Sequence, residues 1–342
     1  MKRKHLLSIV IACLFVACHY DTDDFVRNAK ELNGEVIHAD CMIGRPSAIL
    51  YAEPQKIILY DRYDGNLISI IDMTDGRCAR FLQEGNGPED ILPGFRMFIS
   101  SENQTFGIYQ HQMSRLNLYD LADITVANAH PLSARAKIRI EEEPSAANVI
   151  SAGKYFIGIG MFEQGRIHLY DQQGKYISHG GKYPFKGEDM DSKSRFFAYQ
   201  SYLASNSSGK FVVGSAYGDN LEFYAVDEHG RIILVKKYGA RDVLFSMENL
   251  TIRLQDDCML GYKGAWGGEK YCYLLFSGKS YAENDHRTIG GKYLFVFTWD
   301  GQFVKSYRTD RDILSFCADE KNGIIYAIVR HEDDAVMRFA LY

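Results

Sequence analysis

Proline is scarce in this 342-residue chain, at 7 residues, and tryptophan scarcer, at 2. Basic charge is not in excess: 39 Lys and Arg face 44 Asp and Glu, for a formal net charge of −5. That excludes the basic field by which nucleic-acid binders displace counterions, so no nucleic-acid partner is expected. No CxxC pair occurs, and setting aside Cys13 and Cys18 leaves five widely spaced cysteines, Cys41, Cys78, Cys258, Cys272 and Cys317. Neither a zinc site nor a dense disulfide framework follows from them, and buried single thiols are expected for most. HExxH and GxSxG are missing, and Gly278-Lys279-Ser280 lacks the upstream glycine of a phosphate-binding loop. The SxxK pairs Ser151/Lys154 and Ser207/Lys210 fall on repeated turns, where Ser and Lys are common. Sustained helical periodicity is absent as well, since the apolar runs alternate or are short and continuous.

The first residues carry an address. Lys2, Arg3 and Lys4 precede an apolar run from Leu6 to Ala17, twelve residues long. That is too short to span a hydrocarbon core of about 30 Å, so residues 1–17 read as a signal peptide. The run ends in Leu14-Phe15-Val16-Ala17-Cys18, which resembles a bacterial lipobox, although Phe15 stands where Leu is usual. The resemblance implies cleavage before Cys18 and acylation of Cys18, hence a lipid bilayer as partner. An ordinary secretory leader with an incidental Cys18 is the alternative. Residues 18–33, opening with Asp21, Asp23 and Asp24, are expected to be a lipid-anchored tether. The acidic start resembles the tether of surface-exposed lipoproteins and equally suits a solvated spacer. The expected location is the cell envelope, on an outer-membrane lipoprotein facing the periplasm or the cell surface.

From there the chain repeats. Tyr (23), Phe (20) and Gly (30) are plentiful, a composition suited to half-buried strands joined by tight turns. Six short polar turns each precede an apolar strand: Lys56 before IILY, Thr105 before FGIY, Lys154 before YFIG, Lys210 before FVVG, Lys270 before YCYL and Gly323 before IIYA. Their spacings are 49, 49, 56, 60 and 53 residues. A third strand recurs in most units and runs into a glycine turn, as in LISIID before Asp75-Gly76 and LEFYAVD before Glu228-His229-Gly230. This fits the four-stranded blades of a β-propeller better than a helical solenoid, so the fold class is all-β and residues 34–342 form one six-bladed propeller. The last unit stops at its third strand, Ala335–Tyr342, while Glu35–Ala39 is a strand left over at the front. Pairing the two closes the ring and leaves no long open edge.

On these repeats, the lipobox and Glu84-Gly85-Asn86-Gly87-Pro88-Glu89-Asp90, which is similar to a GxGPxE stretch, the chain resembles the TolB-like six-bladed propeller lipoproteins from about residue 30 onward. The resemblance implies the fold and says little about activity, because propellers host many chemistries. The glycine-rich stretch reads either as an anion cradle or as a plain crossover between blades.

Loops joining strands 2 and 3 share one propeller face with the crossovers between blades. They collect Arg62, Tyr63, His111, Arg115, His286, Arg287 and His331, which are the expected ligand-binding residues. Arg grips anions bidentately, Tyr stacks, and His ligates metal or moves protons. His111, His286 and His331 are the candidate ligands of a divalent metal ion. Two long connectors on the same face, 278–291 and 242–257, mark where function concentrates. The expected function is a lipid-anchored binding module for a polar ligand, polymer or envelope protein. The alternative is a metal-dependent hydrolase or lyase at the mouth of the central channel.

Overall fold

The computed structural model describes residues 22–342 apart from 101, 103, 128–131, 142–145, 186–189, 249–250 and 330–334. A short helix, α1 (Thr22–Arg27), is followed by two brief strands, β1 (Lys30–Leu32) and β2 (Glu35–Val36). Four antiparallel four-stranded sheets then succeed one another. Blade 1 is β3 (Pro46–Ala52), β4 (Lys56–Tyr63), β5 (Asn66–Asp72) and β6 (Cys78–Gln83). Blade 2 is β7 (Arg96–Ser100), β8 (Thr105–Gln110), β9 (Arg115–Asp120) and β10 (Ala136–Arg139). Blade 3 is β11 (Ala146–Ala152), β12 (Tyr155–Gly160), β13 (Ile167–Tyr170) and β14 (Tyr176–Gly180). Helix α2 (Ser192–Ala198) leads into blade 4, made of β15 (Ser201–Ser205), β16 (Lys210–Ser215), β17 (Leu221–Val226) and β18 (Ile232–Tyr238). A separate hairpin, β19 (Phe245–Glu248) and β20 (Thr251–Leu254), precedes blade 5.

Blades 5 and 6 share a strand. Blade 5 is β21 (Tyr262–Gly267), β22 (Tyr271–Phe276), β23 (Gly291–Thr298) and the first half of β24 (Phe303–Asp319). The second half of β24 pairs with β25 (Ile324–Val329), and β25 with β26 (Ala335–Ala340), so one continuous strand is the outer strand of blade 5 and the inner strand of blade 6. The outermost strand of blade 6 comes from the other end of the chain. Glu35 pairs with Arg338 and Val36 with Met337. The Ile37 N–H donates to Val336 O at 2.9 Å, and Arg338 grips the Glu35 carboxylate at 2.7 Å. The expected closure is therefore made.

The repeated glycine turns have a common local cause. In three blades an aspartate ends the third strand and its carboxylate accepts backbone N–H groups of the turn: Asp72 from Thr74 (2.9 Å), Asp171 from Gln173 and Lys175 (both 2.9 Å), and Asp227 from His229 (3.0 Å) and Arg231 (2.9 Å). Second strands supply the core; every residue of β8 is buried. Gly107 at its centre is there for close approach, because a Cβ would lie 2.2 Å from the Phe98 ring. Trp266 on β21 packs against the apolar clusters of blades 1–2, 5–6 and 6–1 together, so it points into the middle of the ring.

Two expectations change. The tether expected for residues 18–33 is corrected from Thr22 onward, because that segment is part of the folded body. Phe25 is fully buried, stacked on Phe303 at 4.2 Å and edge-on to Tyr238, Phe295 and Phe297. β1 then adds a parallel strand to β24 at Tyr307–Thr309, with Leu32 buried. Apolar residues at alternate or fourfold spacing are too few in twelve positions to announce this, so the polar composition dominates the sequence reading. Among the cysteines, Cys258, Cys272 and Cys317 are buried free thiols as expected, whereas Cys41 and Cys78 form a disulfide. It fastens the crossover that follows β2 to the outer strand of blade 1. The leader, Cys18 and residues 18–21 lie outside the described residues.

Candidate functional site

Three insertions meet on the face of the 2–3 loops, and all lie in blades 3 to 5. The first is α2, in the crossover from blade 3 to blade 4. Asp191 caps it by accepting the Ser194 N–H at 3.0 Å. The buried guanidinium of Arg195 holds it to the 2–3 loop of blade 3, donating to the carbonyls of Phe162 and Glu163. The second is the β19–β20 hairpin in the crossover from blade 4 to blade 5. The third is the long 2–3 loop of blade 5, between Phe276 and Gly291. Their apolar sides form a small separate core of Tyr183, Ala198, Tyr199, Val243 and Cys258, with Tyr217, Ile252, Leu254 and Tyr281 against it.

Above that core is a cleft of about 670 Å³ lined by Lys193 and Phe197 of α2, Gln200, Tyr217, residues 251–254, Asp256, Tyr281, His286 and Thr288. Several of its polar groups have partners. His286 Nε2 lies 2.9 Å from Asp256 Oδ1, joining two of the insertions, and the Tyr281 ring stands edge-on to the imidazole at 5.0 Å. Arg253 pairs with Glu248 across the hairpin at 3.0 Å. The backbone at His286 is unusual: Asp285 and His286 both have left-handed φ, 52° and 55°, a conformation that costs L-residues about 1–2 kcal/mol each. Buried Asn284 holds it in place, its side-chain amide donating to Arg287 O (2.7 Å) and Ile289 O (3.1 Å). Strain over-determined in this way gathers where a side chain must be aimed.

A buried lysine sits behind the cleft. Lys263, on the inner strand of blade 5, donates to Ala216 O at 2.7 Å and lies 5.1 Å from the centre of the Tyr217 ring. Burial pulls its ammonium down to about 7, and burial pushes the Tyr217 hydroxyl up to about 12. Gly261, two residues earlier, admits no side chain, since a Cβ would meet Gly218 O at 2.1 Å. The loop holding Tyr217 is thereby pressed directly against β21.

The expected site residues are dispersed around the ring. Arg62 is engaged by Glu84 through both carboxylate oxygens, at 2.7 and 3.0 Å, and Tyr63 lies under the Arg80 guanidinium at 4.2 Å. His111 opens a short 3-10 turn in blade 2, exposed, and Arg115 donates to Gln110 Oε1 at 2.9 Å. His286 lines the cleft, while its neighbour Arg287 is exposed beside it. His331 lies outside the described residues. Among the described residues no group of three or more His, Cys, Asp or Glu converges as a metal site. The stretch 84–90 folds as a crossover: Asp90 takes the Gly87 N–H at 2.8 Å, and Glu89 pairs with Lys137 at 2.7 Å. Lys193, Phe197 and Arg253 were not singled out from the sequence. The length of the connectors carried their signal, because an insertion that long on a rigid ring must build something of its own.

Other proteins share this architecture. A protein of Bacteroides fragilis NCTC 9343, thought to be exported, superposes with a TM-score of 0.56 at 11% identity, over 91% of this chain and 96% of its own. A member of the DUF4221 family from Bacteroides vulgatus ATCC 8482 superposes with a TM-score of 0.53 at 12% identity, over the same shares. Among curated proteins none matches the chain in sequence. The family model described as TolB-like 6-blade propeller-like matches residues 57–321, from the second strand of blade 1 to the first hairpin of blade 6, and the chain belongs to that family.

Proposed function

We propose that the protein is an exported, lipid-anchored propeller that binds a polar ligand in the cleft between blades 3, 4 and 5. The observation that carries the reading is the cleft itself, built by three insertions of blades 3 to 5, with Tyr217 and Tyr281 of its lining seated on a shared core. Phe197, Tyr217 and Tyr281 offer faces for stacking, and Lys193, Arg253, Asp256 and His286 offer directed polar contacts; a few placed polar groups on an aromatic lining is the usual make-up of a recognition site. Export is supported by the apolar leader and by the Cys41–Cys78 disulfide, a bond that persists in oxidising compartments. The anchor is Cys18, on the lipobox-like Leu14–Cys18, with the outer membrane as its membrane.

Two measurements test the two halves. Against a panel of immobilised glycans and peptides, His286→Ala with Arg253→Ala weakens every hit of the native protein at least tenfold, the loss of about 1.4 kcal/mol. Lys154→Ala with Lys210→Ala, on the opposite face, leaves those hits unchanged. Hits that survive the first pair and vanish with the second place the site on the wrong face. Cys18→Ser abolishes labelling by a fatty-acid analogue and leaves the precursor uncleaved; persistent labelling removes the anchor.

A further inference from the structure

We propose that the outer edge of blade 4, strand β18, is a membrane-docking surface that lays the propeller against the bilayer in which Cys18 is anchored. This rests on the acylated Cys18 of the proposed function and adds an orientation to it.

Two outer strands of the ring are covered by the N-terminal segment, β24 by β1 and β26 by β2. No strand among the described residues pairs with the outer edge of β18. Yet β18 carries Ile233, Leu234 and Val235 in succession, exposed by 44%, 50% and 43%. The adjoining outer strand of blade 3 adds Tyr176 and Ile177, both exposed, and Ile177 abuts the turn that opens β18 at Gly230. Contiguous exposed aliphatics on the rim of a folded domain mark a surface with a partner.

The position of the anchor selects lipid as that partner. Four residue steps separate Cys18 from Thr22, a reach of at most about 14 Å. The first described residues are then fixed between blades 4 and 5: Asp23 pairs with Arg241 just beyond β18, and Phe25 meets Tyr238, the last residue of β18, as well as Phe295, Phe297 and Phe303 of blade 5. From Tyr238 back to Val235 and Ile233 is about 10–17 Å along the strand. Acyl chains on Cys18 therefore hold the bilayer surface beside this edge of the ring, with little slack to turn away. Charge agrees with that placement. Lys236 and Lys237 follow the aliphatics on β18, Lys175 and Lys182 flank β14, and all four are exposed. The carboxylates at this edge are Asp227, paired with Arg231, Glu228 at the far hairpin, and buried Glu222 near Lys237. With them are Asp171 at the turn into β14 and Asp300, paired with Lys210 on the blade 5 turn that abuts Lys236. Aliphatic side chains beside lysines suit the boundary between acyl chains and anionic headgroups.

The test uses the full, lipidated chain in vesicles of phosphatidylethanolamine and phosphatidylglycerol containing a headgroup-nitroxide lipid. The free thiols are buried and the remaining pair is bonded, so a new surface cysteine takes the fluorophore. Fluorescence at Leu234→Cys is expected to be quenched severalfold more than at Asp64→Cys, on blade 1 across the ring. Adding Leu234→Asp to a label at Ile177→Cys should lower the quenching there, and raising the salt should lower it further. Equal quenching at 234 and 64 on chains that float with the vesicles overturns the docking and leaves the anchor standing. Chains that fail to float remove the anchor and the docking with it. Unquenched label at 234 together with a dimer that Leu234→Asp dissociates overturns it in favour of edge pairing between copies.

Discussion

Single residues separate into those whose role composition conceals and those it advertises. Nothing in the sequence around Lys263 sets it apart, but the strand places its amine under Tyr217 and out of water. Its folded value of about 7 lies below the ordinary 10.5, so the folded chain gives up this proton first. Its contribution to stability is flat below pH 7, rises with pH between about 7 and 10.5 by up to about 1.4 kcal/mol per unit, and levels off above. Lys263→Met removes that dependence, and the carbonyl it abandons keeps the Gly261 N–H at 3.0 Å. In urea titrations the native chain should gain about 2 kcal/mol on the variant between pH 7 and pH 9. A difference that stays constant over that range would mean that Lys263 is already hydrated. Arg62 and Tyr63 run the other way: their residue types suit recognition, yet Glu84 and Arg80 already occupy them.

At the level of elements, strands were legible and additions to them were not. Each hairpin announces itself through an apolar run and a glycine or lysine turn, because a pleated strand has a short period and its turn has few solutions. α1 and β1 have no such pattern. Twelve residues carry two buried apolar side chains, Phe25 and Leu32, and their burial depends on a groove made by blades 4 and 5, more than two hundred positions away. Phe25→Ala should cost about 3–5 kcal/mol, read from the urea midpoint, since the ring has four aromatic partners and no route for collapse. A cost below 1 kcal/mol would return the segment to a tether. The helix α2 was hidden for a related reason: only its Asp191 cap is local, while Arg195 is anchored on blade 3.

Over the whole molecule the ring is closed twice. β2 completes blade 6 through backbone pairing, and Cys41–Cys78 ties the chain that follows it to blade 1. The bond spans 37 residues, for which loop-closure entropy gives about 3–4 kcal/mol. Cys41→Ser with Cys78→Ser should therefore lower stability by that order and leave the fold intact, because β2 keeps its partner. Reduction of the native protein should match the double variant in a melting scan, and an unchanged melting temperature in both would show that β2 alone carries the closure.

The sequence by itself determined the number and spacing of the blades and the pairing of front and back strands. These follow from short-range periodicity and from counting strands, and both survive any change in how the blades are set against one another. Only the tertiary structure decided which side chains meet. Of the loop residues with suitable chemistry, His286 lines the cleft and faces Asp256, because the insertions of blades 3, 4 and 5 lean on a common core. Which loops lean together depends on where the ring brings distant insertions, and no local pattern records that distance. The disulfide is a second case: five widely spaced cysteines read as mostly single thiols, and the crossover's path past blade 1 brings Cys41 to Cys78.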